Sequence, residues 1–370
     1  MGSKERAIPA ESFPPGEFIR DELEARGWTQ EEFASILGRP LQTVNQIING
    51  KKAITPDTAK AIGKAFGTSA ELWLNLETSY RLEQAGEPDD DIGRRSRIHS
   101  LVPLKELIDR GWIENTQNLD ELEDAVCRFL EIETINDTPS LKVAARLSGT
   151  YGELSTSQRA WAFRAKHVAA AKTAKPFCRS TLKESVSNIV RLSANPDNVS
   201  QLDRELSRLG IRLVFVPHLP QTRIDGATLW IDGGFPLVAL SLRFDRIDYF
   251  WFTIMHELAH VLQGGDAMNF LDTDLVGKEA QKSDDKPKGE QVADRAAADW
   301  LVSQKRLHDF IRRHRPRYSA AAIDKFAADI GVHPGIVVGQ LQHKGEVPWT
   351  HFRSLLVKVN HFLQAQMLQD

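Results

Sequence analysis

The chain has 370 residues and a formal net charge of −3, with 41% hydrophobic and 26% charged residues. This length allows two or three domains with a well-buried core, and the composition is that of an ordinary globular protein. Two cysteines are too few for a disulfide framework and fit a reducing, cytoplasmic environment. No stretch is apolar for long enough to indicate a signal peptide or a membrane span. Because the chain as a whole is not basic, any nucleic-acid contact would have to come from a local surface.

The order of helix and strand signals predicts a mainly α fold with a small β-sheet. Residues 1–12 are polar and predict a frayed arm. The predicted regions that follow are an all-α domain at 13–85, a linker at 86–97, a helical middle region at 98–210, an α+β region at 211–345 and a C-terminal helix at 346–370.

The segment 13–85 contains the capping residues and terminal glycines expected of about five short helices. Residues 29–32 form the capping-box pattern Thr-Gln-Glu-Glu, and Gly38 lies where the helix that follows should end. A second helix is predicted at 41–49, so the two helices and the intervening glycine form a helix-turn-helix pattern. The second helix of such a pair can lie in the major groove of DNA.

The predicted second helix has an apolar face and a polar, uncharged outer face that can hydrogen-bond to base edges. The predicted DNA-contacting residues are Gln42, Thr43, Asn45, Gln46 and Asn49 on this helix, with Gln30, Lys51 and Lys52 placed for phosphates. The alternative is a helical bundle whose polar face meets water. Charge does not decide between them, because residues 1–85 contain ten Lys and Arg against twelve Asp and Glu.

The run from PPGEFIRDELEARGWTQEEF through INGKKAIT to WLNLETSYRL resembles HigA-type antitoxins. These are dimeric DNA-binding repressors of the phage-repressor-like helix-turn-helix family. The resemblance covers about seventy residues, and it implies operator DNA as a partner and a homodimer as the assembly. Pro40 departs from relatives that carry a serine there, and it gives the second helix no side-chain cap.

After Gly210 the pattern changes to short apolar strands at 211–216, 228–231 and 236–242, which predict a small sheet with a hairpin. An apolar helix predicted at 249–263 contains the sequence His256-Glu257-Leu-Ala-His260. Two histidines four residues apart share one helix face and can direct their ring nitrogens at one cation. Glu257 lies roughly 100° around the helix, where it can take a proton from bound water.

Three fixed letters at this spacing also arise by chance, so the motif alone is only moderately specific. The helix is apolar nearly all round, which implies burial of its three polar side chains, and a metal satisfies all three. Glu290 and Asp294 follow in the pattern Glu-x-x-Ala-Asp, with which several zincin families supply a third ligand and a supporting carboxylate. The sequence thus predicts Zn²⁺, or another divalent ion such as Mn²⁺, on His256, His260 and Glu290.

Residues 98–345 resemble the ImmA/IrrE family of metallopeptidases, in its HigA-linked branch. The segments that carry the resemblance are VPLKELIDRGWI, AWAFRAKH, SLRFDRIDYFWFTIMHELAH, EQVADRAAADWL and HPGIVVGQLQH. It implies a zincin fold, metal ligands at His256, His260 and Glu290, and Glu257 as the catalytic residue. Val292 replaces a glutamate of many relatives, and a polar insertion at 278–290, predicted as a loop, precedes the third ligand.

Two further features allow a structural as well as a functional interpretation. His218, Arg243 and Asp248 are candidates for transition-state or supporting groups, although structural roles are commoner for such residues. Residues 326–338 echo the spacing of the helix-turn-helix, but their outward positions read bases poorly, so a packed helical hairpin is favoured.

Together these patterns predict a cytoplasmic DNA-binding transcription regulator with a zinc-dependent endopeptidase domain. Its substrate would be a repressor or antitoxin, or the chain itself. The alternative is a non-catalytic, antitoxin-like repressor whose zincin-like domain senses a signal or binds a toxin. The hairpin before the metal helix is expected to supply an edge strand for extended peptide.

Overall fold

The computed structural model describes residues 13–86, 89–141, 146–147, 150–151, 154–231, 234–264, 270–276 and 287–367. The predicted N-terminal arm at 1–12 and positions 278–286 of the predicted insertion lie outside these residues. The chain divides into two compact units, Met1–Gly93 and Arg94–Asp370, here called the N-terminal unit and the C-terminal unit. The expected fold class, mainly α with a small sheet, is confirmed.

The N-terminal unit is all-α. Its helices are α1 (Pro15–Arg26), α2 (Gln30–Leu37), α3 (Leu41–Ile48), α4 (Pro56–Phe66) and α5 (Ala70–Ala85), which confirms the five predicted helices. Their shared core includes three aromatic side chains, with Phe66 stacked on Phe33 at 4.8 Å and tilted against Trp73 at 5.7 Å between ring centroids. The burial of these three aromatic rings is a main source of stability for a unit of this size.

Helix α1 crosses α3 so closely that only glycine fits at the contact. A Cβ atom on Gly16 would lie 1.9 Å from the carbonyl oxygen of Ile48, at the end of α3. The guanidinium of Arg20, one turn further along α1, donates to the same carbonyl at 3.3 Å and to Asn49 Oδ1 at 2.9 Å. Helix α1 therefore fixes the C-terminal end of α3.

The C-terminal unit begins within a helix, and this corrects the predicted linker at 86–97. Residues from Asp90 onward form α6 (Asp90–Leu101). Arg94, which lies in the predicted linker, donates to Glu123 at 2.8 Å and Asp120 at 2.5 Å. The sequence could not show this contact, because the partners of Arg94 lie almost thirty residues away.

Further helices and a two-stranded hairpin follow α6. They are α7 (Leu104–Asp109), α8 (Leu119–Leu130), β1 (Arg146–Leu147), β2 (Thr150–Tyr151), α9 (Thr156–Ala170), α10 (Arg179–Leu192) and α11 (Leu202–Arg208). The chain then enters the main sheet, made of β3 (Arg212–Phe215), β4 (Ile224–Ile231), β5 (Phe235–Leu240) and β6 (Phe270–Thr273). The last six helices are α12 (Ile247–Gln263), α13 (Lys288–Leu301), α14 (Gln304–His314), α15 (Ala320–Ile330), α16 (Pro334–His343) and α17 (Asn360–Met367).

The main sheet has the order β3-β5-β4-β6, with β3 parallel to β5 and the other two pairings antiparallel. The predicted hairpin of β4 and β5 is present, but it was expected to offer an edge strand. Both of its strands are internal among the described strands, because β6 covers β4 and β3 covers β5. Strand β6 was not predicted.

Helices cover both faces of this sheet. Alternate residues of β3 enter opposite cores: Leu213 and Phe215 pack with α12, whereas Val214, like Val216 just after the strand, packs with α8 and α9. A strand buried on both faces has a continuous apolar sequence, as here. The predicted middle region at 98–210 thus forms no unit of its own, since its helices contribute to both cores.

The remaining elements differ in detail from the sequence prediction. Helix α13 begins at Lys288, inside the predicted loop, and the predicted C-terminal helix at 346–370 is replaced by a short 3₁₀ turn and α17. Helices α15 and α16 contribute Ile323, Val337 and Val338 to the core beside α12, so the favoured reading of a packed helical hairpin is confirmed. No helix in the described part of the chain is long and apolar enough to cross a membrane.

The contact at Gly16 gives a first prediction. Gly16→Ala should destabilise the N-terminal unit by about 1–3 kcal/mol, because the new methyl group overlaps backbone that cannot move freely. The measurement is native-state hydrogen exchange of the amides of α1 and α3 in the full chain. Gly93→Ala is the matched control, since its Cβ would meet only Asp90 Oδ1 at 3.9 Å. Equal protection in both variants would contradict the close approach.

Candidate functional site

The helix-turn-helix consists of α2, a turn at Gly38 and α3. Thr29 caps α2 through a complete capping box, in which Thr29 Oγ1 accepts from the Glu32 amide at 3.2 Å and the Glu32 carboxylate accepts from the Thr29 amide at 2.7 Å. The Thr29 amide and the Thr29 hydroxyl both donate to the Glu32 carboxylate, and these two hydrogen bonds lower the pKa of Glu32. Pro40 precedes α3 without a side-chain cap, as expected.

The outer face of α3 carries the predicted base-reading residues. Gln42 and Asn49 are exposed, whereas Thr43, Asn45 and Gln46 are half-buried. The Asn49 side chain accepts from Arg20, so its oxygen already has a partner within the unit. The amide oxygen of Asn45 is buried and has no hydrogen-bond partner among the described residues.

The predicted phosphate contacts lie at the ends of the two helices. Gln30 is exposed at the first position of α2, and Lys51 and Lys52 are exposed just beyond α3. Arg81 on α5 was not predicted, but it donates to the Gly50 carbonyl at 3.1 Å and pairs with Glu77 at 2.9 Å. The turn that carries the two lysines is therefore supported from α5.

In the C-terminal unit, three separate elements direct metal-binding side chains at one point. The four converging residues are His256, His260, Asp272 and Glu290, all buried, with one possible ligand atom of each within 4.8 Å of the others. Helix α12 supplies both histidines, β6 supplies Asp272 and the first turn of α13 supplies Glu290. The structure thus brings together the three predicted ligands and adds an aspartate that the sequence analysis missed.

The distances within the cluster are short. The two Nε2 atoms of His256 and His260 lie 2.9 Å apart, and Glu290 Oε2 lies 3.2 Å and 3.3 Å from them. Asp272 Oδ2 lies 3.5 Å from each Nε2. On the other side of the His256 ring, Nδ1 lies 3.0 Å from Asp294 Oδ1. Asp294 is therefore placed to orient His256, the supporting position predicted for it.

The cluster perturbs the pKa values of all its members. Burial by itself lowers the pKa of both imidazoles, but the effect of Asp272 and the other carboxylates is larger. The pKa of His260 therefore rises to about 9, and the pKa of His256 rises well above its ordinary value. Conversely, burial favours the neutral carboxyl of Asp272, but the two imidazoles hold its pKa well below its usual range. The buried carboxylates thus favour positive charge at this point.

Glu257 lies beside the cluster and outside it. Its Oε2 accepts from Thr228 Oγ1 on β4 at 2.7 Å, and its Oε1 has no hydrogen-bond partner among the described residues. Burial, with the nearby charge of Asp272, raises the pKa of Glu257 well above its ordinary value. A Cβ atom on Gly226 would lie 2.2 Å from Glu257 Oε1, so glycine at this position makes room for the carboxylate.

These donors fit a divalent cation. Two imidazole nitrogens and two carboxylate oxygens are the ligand types that Zn²⁺ and Mn²⁺ accept. Two Nε2 atoms facing each other at 2.9 Å can share at most one proton in a hydrogen bond, whereas both can bind one cation. A positive ion also replaces the protons that the buried carboxylates otherwise require.

The other three candidate residues lie outside the cluster. Arg243 pairs with Asp225 at 3.0 Å and Asp274 at 3.1 Å, and Asp248 pairs with Arg246 at 2.8 Å. His218 is exposed. Of the residues missed, Thr228 lies in a predicted strand, but its contact with Glu257 comes from the packing of β4 on α12.

Comparisons with known proteins concern the N-terminal unit. The helix-turn-helix family model matches residues 19–73. An uncharacterized HTH-type transcriptional regulator of Escherichia coli (strain K12), YddM, is 31% identical over 84 residues, which are 23% of this chain and 88% of the relative. Virulence-associated protein I of Dichelobacter nodosus is 34% identical over 91 residues, which are 24% of this chain and 79% of the relative.

A solved structure is similar over the same share of the chain. The antitoxin HigA of Pseudomonas aeruginosa, determined with the higBA promoter, is 32% identical and covers 25% of this chain and 99% of its own, with a TM-score of 0.20. The two curated relatives exceed 30% identity over most of their own lengths. Through its N-terminal unit, the chain therefore belongs to the helix-turn-helix family of transcriptional regulators.

Proposed function

We propose that this protein is a DNA-binding transcription regulator whose C-terminal unit is a zinc-dependent endopeptidase. The substrate is a repressor or antitoxin-type protein, or the chain itself. The observation that carries the peptidase half is the convergence of His256, His260 and Glu290 within 3.3 Å of one another, beside the buried carboxylate of Glu257. The resemblance to ImmA/IrrE metallopeptidases supports it.

The DNA-binding half rests on membership of the helix-turn-helix family and on the outer face of α3. The exposed Gln42 is free to reach a base edge, and Thr43, Asn45 and Gln46 line the same helix. The DNA phosphates are contacted by three exposed side chains, those of Gln30, Lys51 and Lys52. Because the unit is not basic, its affinity depends on these few placed contacts more than on a general positive field. We expect a homodimer on a two-fold operator.

In the peptidase half, His256, His260 and Glu290 hold the cation, and Asp294 orients the His256 ring. A bound Zn²⁺ would supply a Lewis acid that polarises a peptide carbonyl and acidifies water. Glu257 is the proton acceptor: Thr228 fixes its Oε2, which leaves Oε1 to receive the proton. A carboxylate at this position can take up a proton and later donate it to the leaving amine.

A second candidate function is favoured by the burial of the cluster. His256, Glu257 and His260 have no exposed surface, and four protein donors are typical of a structural metal site. In this alternative the C-terminal unit is a closed, antitoxin-like sensor or toxin-binding module. The two functions differ in whether the Glu257 carboxylate is needed, so a Glu257→Gln variant separates them.

The first prediction here concerns base reading. Gln42→Ala should weaken binding to an operator duplex by about tenfold, because one base-edge contact contributes about 1–3 kcal/mol. The operator is selected from randomised duplexes with the full-length protein, and affinity is measured at fixed salt. Gln84→Ala, an exposed glutamine on α5, is the matched control. Unchanged affinity for Gln42→Ala would remove this residue from the interface.

A second prediction concerns the metal. The full-length protein should retain about one Zn²⁺ per chain through gel filtration, and His256→Ala should lose it, because a buried site rarely tolerates the loss of an imidazole ligand. Elemental analysis gives the count. His218→Ala, a change at an exposed histidine, should keep the metal. Equal metal contents in the wild type and His256→Ala would exclude this site.

A third prediction tests catalysis. Glu257→Gln should keep the metal but lower cleavage at least about 100-fold, because a general base contributes roughly 10²–10⁴-fold. Full-length protein is incubated with a proteome-derived peptide library and alone, and new termini are read by mass spectrometry. Glu184→Gln, an exposed change on α10, should cleave normally. Cleavage that persists in Glu257→Gln would exclude the mechanism, and absence of cleavage by the wild type would favour the closed sensor.

A further inference from the structure

We propose that Asp272 is a fourth protein ligand of the metal, and that strand β6 thereby holds the centre closed. This inference rests on the proposed metal site. Its starting point is geometric: Asp272 Oδ2 is equidistant, at 3.5 Å, from the Nε2 atoms of His256 and His260. The carboxylate is buried and faces the same point as Glu290.

The position of Asp272 is set by backbone pairing. Strand β6 pairs with β4 in an antiparallel register that places Asp272 opposite Gly226, Leu271 opposite Ala227 and Phe270 opposite Thr228. Leu271 is buried in the core on the far side of the sheet. The register therefore fixes which residue of β6 faces the metal site, because a shift by one residue would exchange the two faces.

Side chains on both sides of Asp272 hold the strand in place. The Phe270 ring stacks on the His260 imidazole at 4.1 Å between centroids and 15° between planes. After β6, the Asp225 carboxylate accepts from the amides of Leu275 at 2.7 Å and Val276 at 3.3 Å. A salt-bridged network then ties this turn to the rest of the unit.

Arg243 is the centre of that network. Its guanidinium reaches Asp225 at 3.0 Å and Asp274 at 3.1 Å, and Arg223 adds a second contact to Asp274 at 3.3 Å. Asp225, Asp274 and the Arg243 side chain are largely buried, so the two ion pairs of Arg243 are shielded from solvent. Asp272 thus belongs to a strand anchored before and after it.

Two consequences follow for the proposed peptidase. A catalytic zinc site has three protein ligands and one position for water or substrate, and a fourth carboxylate takes that position. Strand β6 also pairs with the side of β4 on which an extended peptide could otherwise add to the sheet. In this state both the metal and the sheet edge are occupied by the chain itself, so substrate must displace β6.

The test uses full-length protein in which Co²⁺ replaces zinc, with azide as a small probe of an open coordination position. The wild type should bind Co²⁺ tightly and show no azide-dependent change in its visible spectrum. Asp272→Ala should bind azide, and its metal affinity in a chelator competition should fall at least tenfold, since even outer partners of ligands contribute roughly 10- to 100-fold.

Thr273→Ala is the matched control, because it changes the next residue of the same strand and should behave as the wild type. Asp272→Asn keeps the side-chain shape and serves if the alanine variant unfolds, as judged by circular dichroism. Equal metal affinity and equal azide response in the wild type and both Asp272 variants would overturn the assignment while leaving the three-ligand site intact. Failure of the wild type to bind Co²⁺ or Zn²⁺ would instead overturn the proposed metal site itself.

Discussion

The C-terminal unit depends on the burial of five ionisable side chains at one point. His256, Glu257, His260, Asp272 and Glu290 are each at most 6% exposed. Withdrawing one such ion from water costs several kcal/mol, and only close pairing or a cation offsets that cost. The donors belong to three elements, α12, β6 and α13, so their mutual compensation also fixes how these elements pack. Removing one partner would leave the others charged and unpaired inside the core.

The sheet makes this arrangement possible because it is buried on both faces. Trp251, Ile254 and Leu258 of α12 lie in one core together with residues of β3 and β5. The same helix turns His256 and His260 toward Asp272 on β6 and Glu290 on α13. This largely apolar helix can therefore bury His256 and His260 because they meet the carboxylates of neighbouring elements.

In the N-terminal unit the constraint is to keep polar side chains exposed, whereas in the C-terminal unit it is to bury them. Helix α3 must keep polar side chains on an outer face, and such a short helix needs support from elsewhere. Arg20 and Arg81 bond to the carbonyls of Ile48 and Gly50 near its C-terminal end, and Gly16 permits the close approach of α1. The rigidity of α3 thus comes from buried and backbone contacts behind it, which leaves Gln42 available to a ligand.

The sequence could predict whatever depends on local spacing. The capping box at Thr29, the two-helix pattern around Gly38 and the one-turn separation of His256 and His260 follow from residues close together in the chain. Glu290 was predicted from a family pattern that also spans only a few residues. Its position beside His256, in contrast, follows from the packing of α13 on α12. The five helices of the N-terminal unit were likewise predicted from residues close together in the chain.

What could not be predicted depends on contacts between distant segments. Asp272 stands in a short run that carries no motif, and it reaches the predicted metal ligands only because β6 pairs with β4 at Gly226. The linker reading failed in the same way, since Arg94 has its carboxylate partners on α8. A three-ligand motif read from sequence says nothing of a fourth donor, whereas the folded chain places the Asp272 carboxylate beside the three predicted ligands. Whether the proposed metal site is open or closed therefore depends on the register of β6, about which the motif alone carries no information.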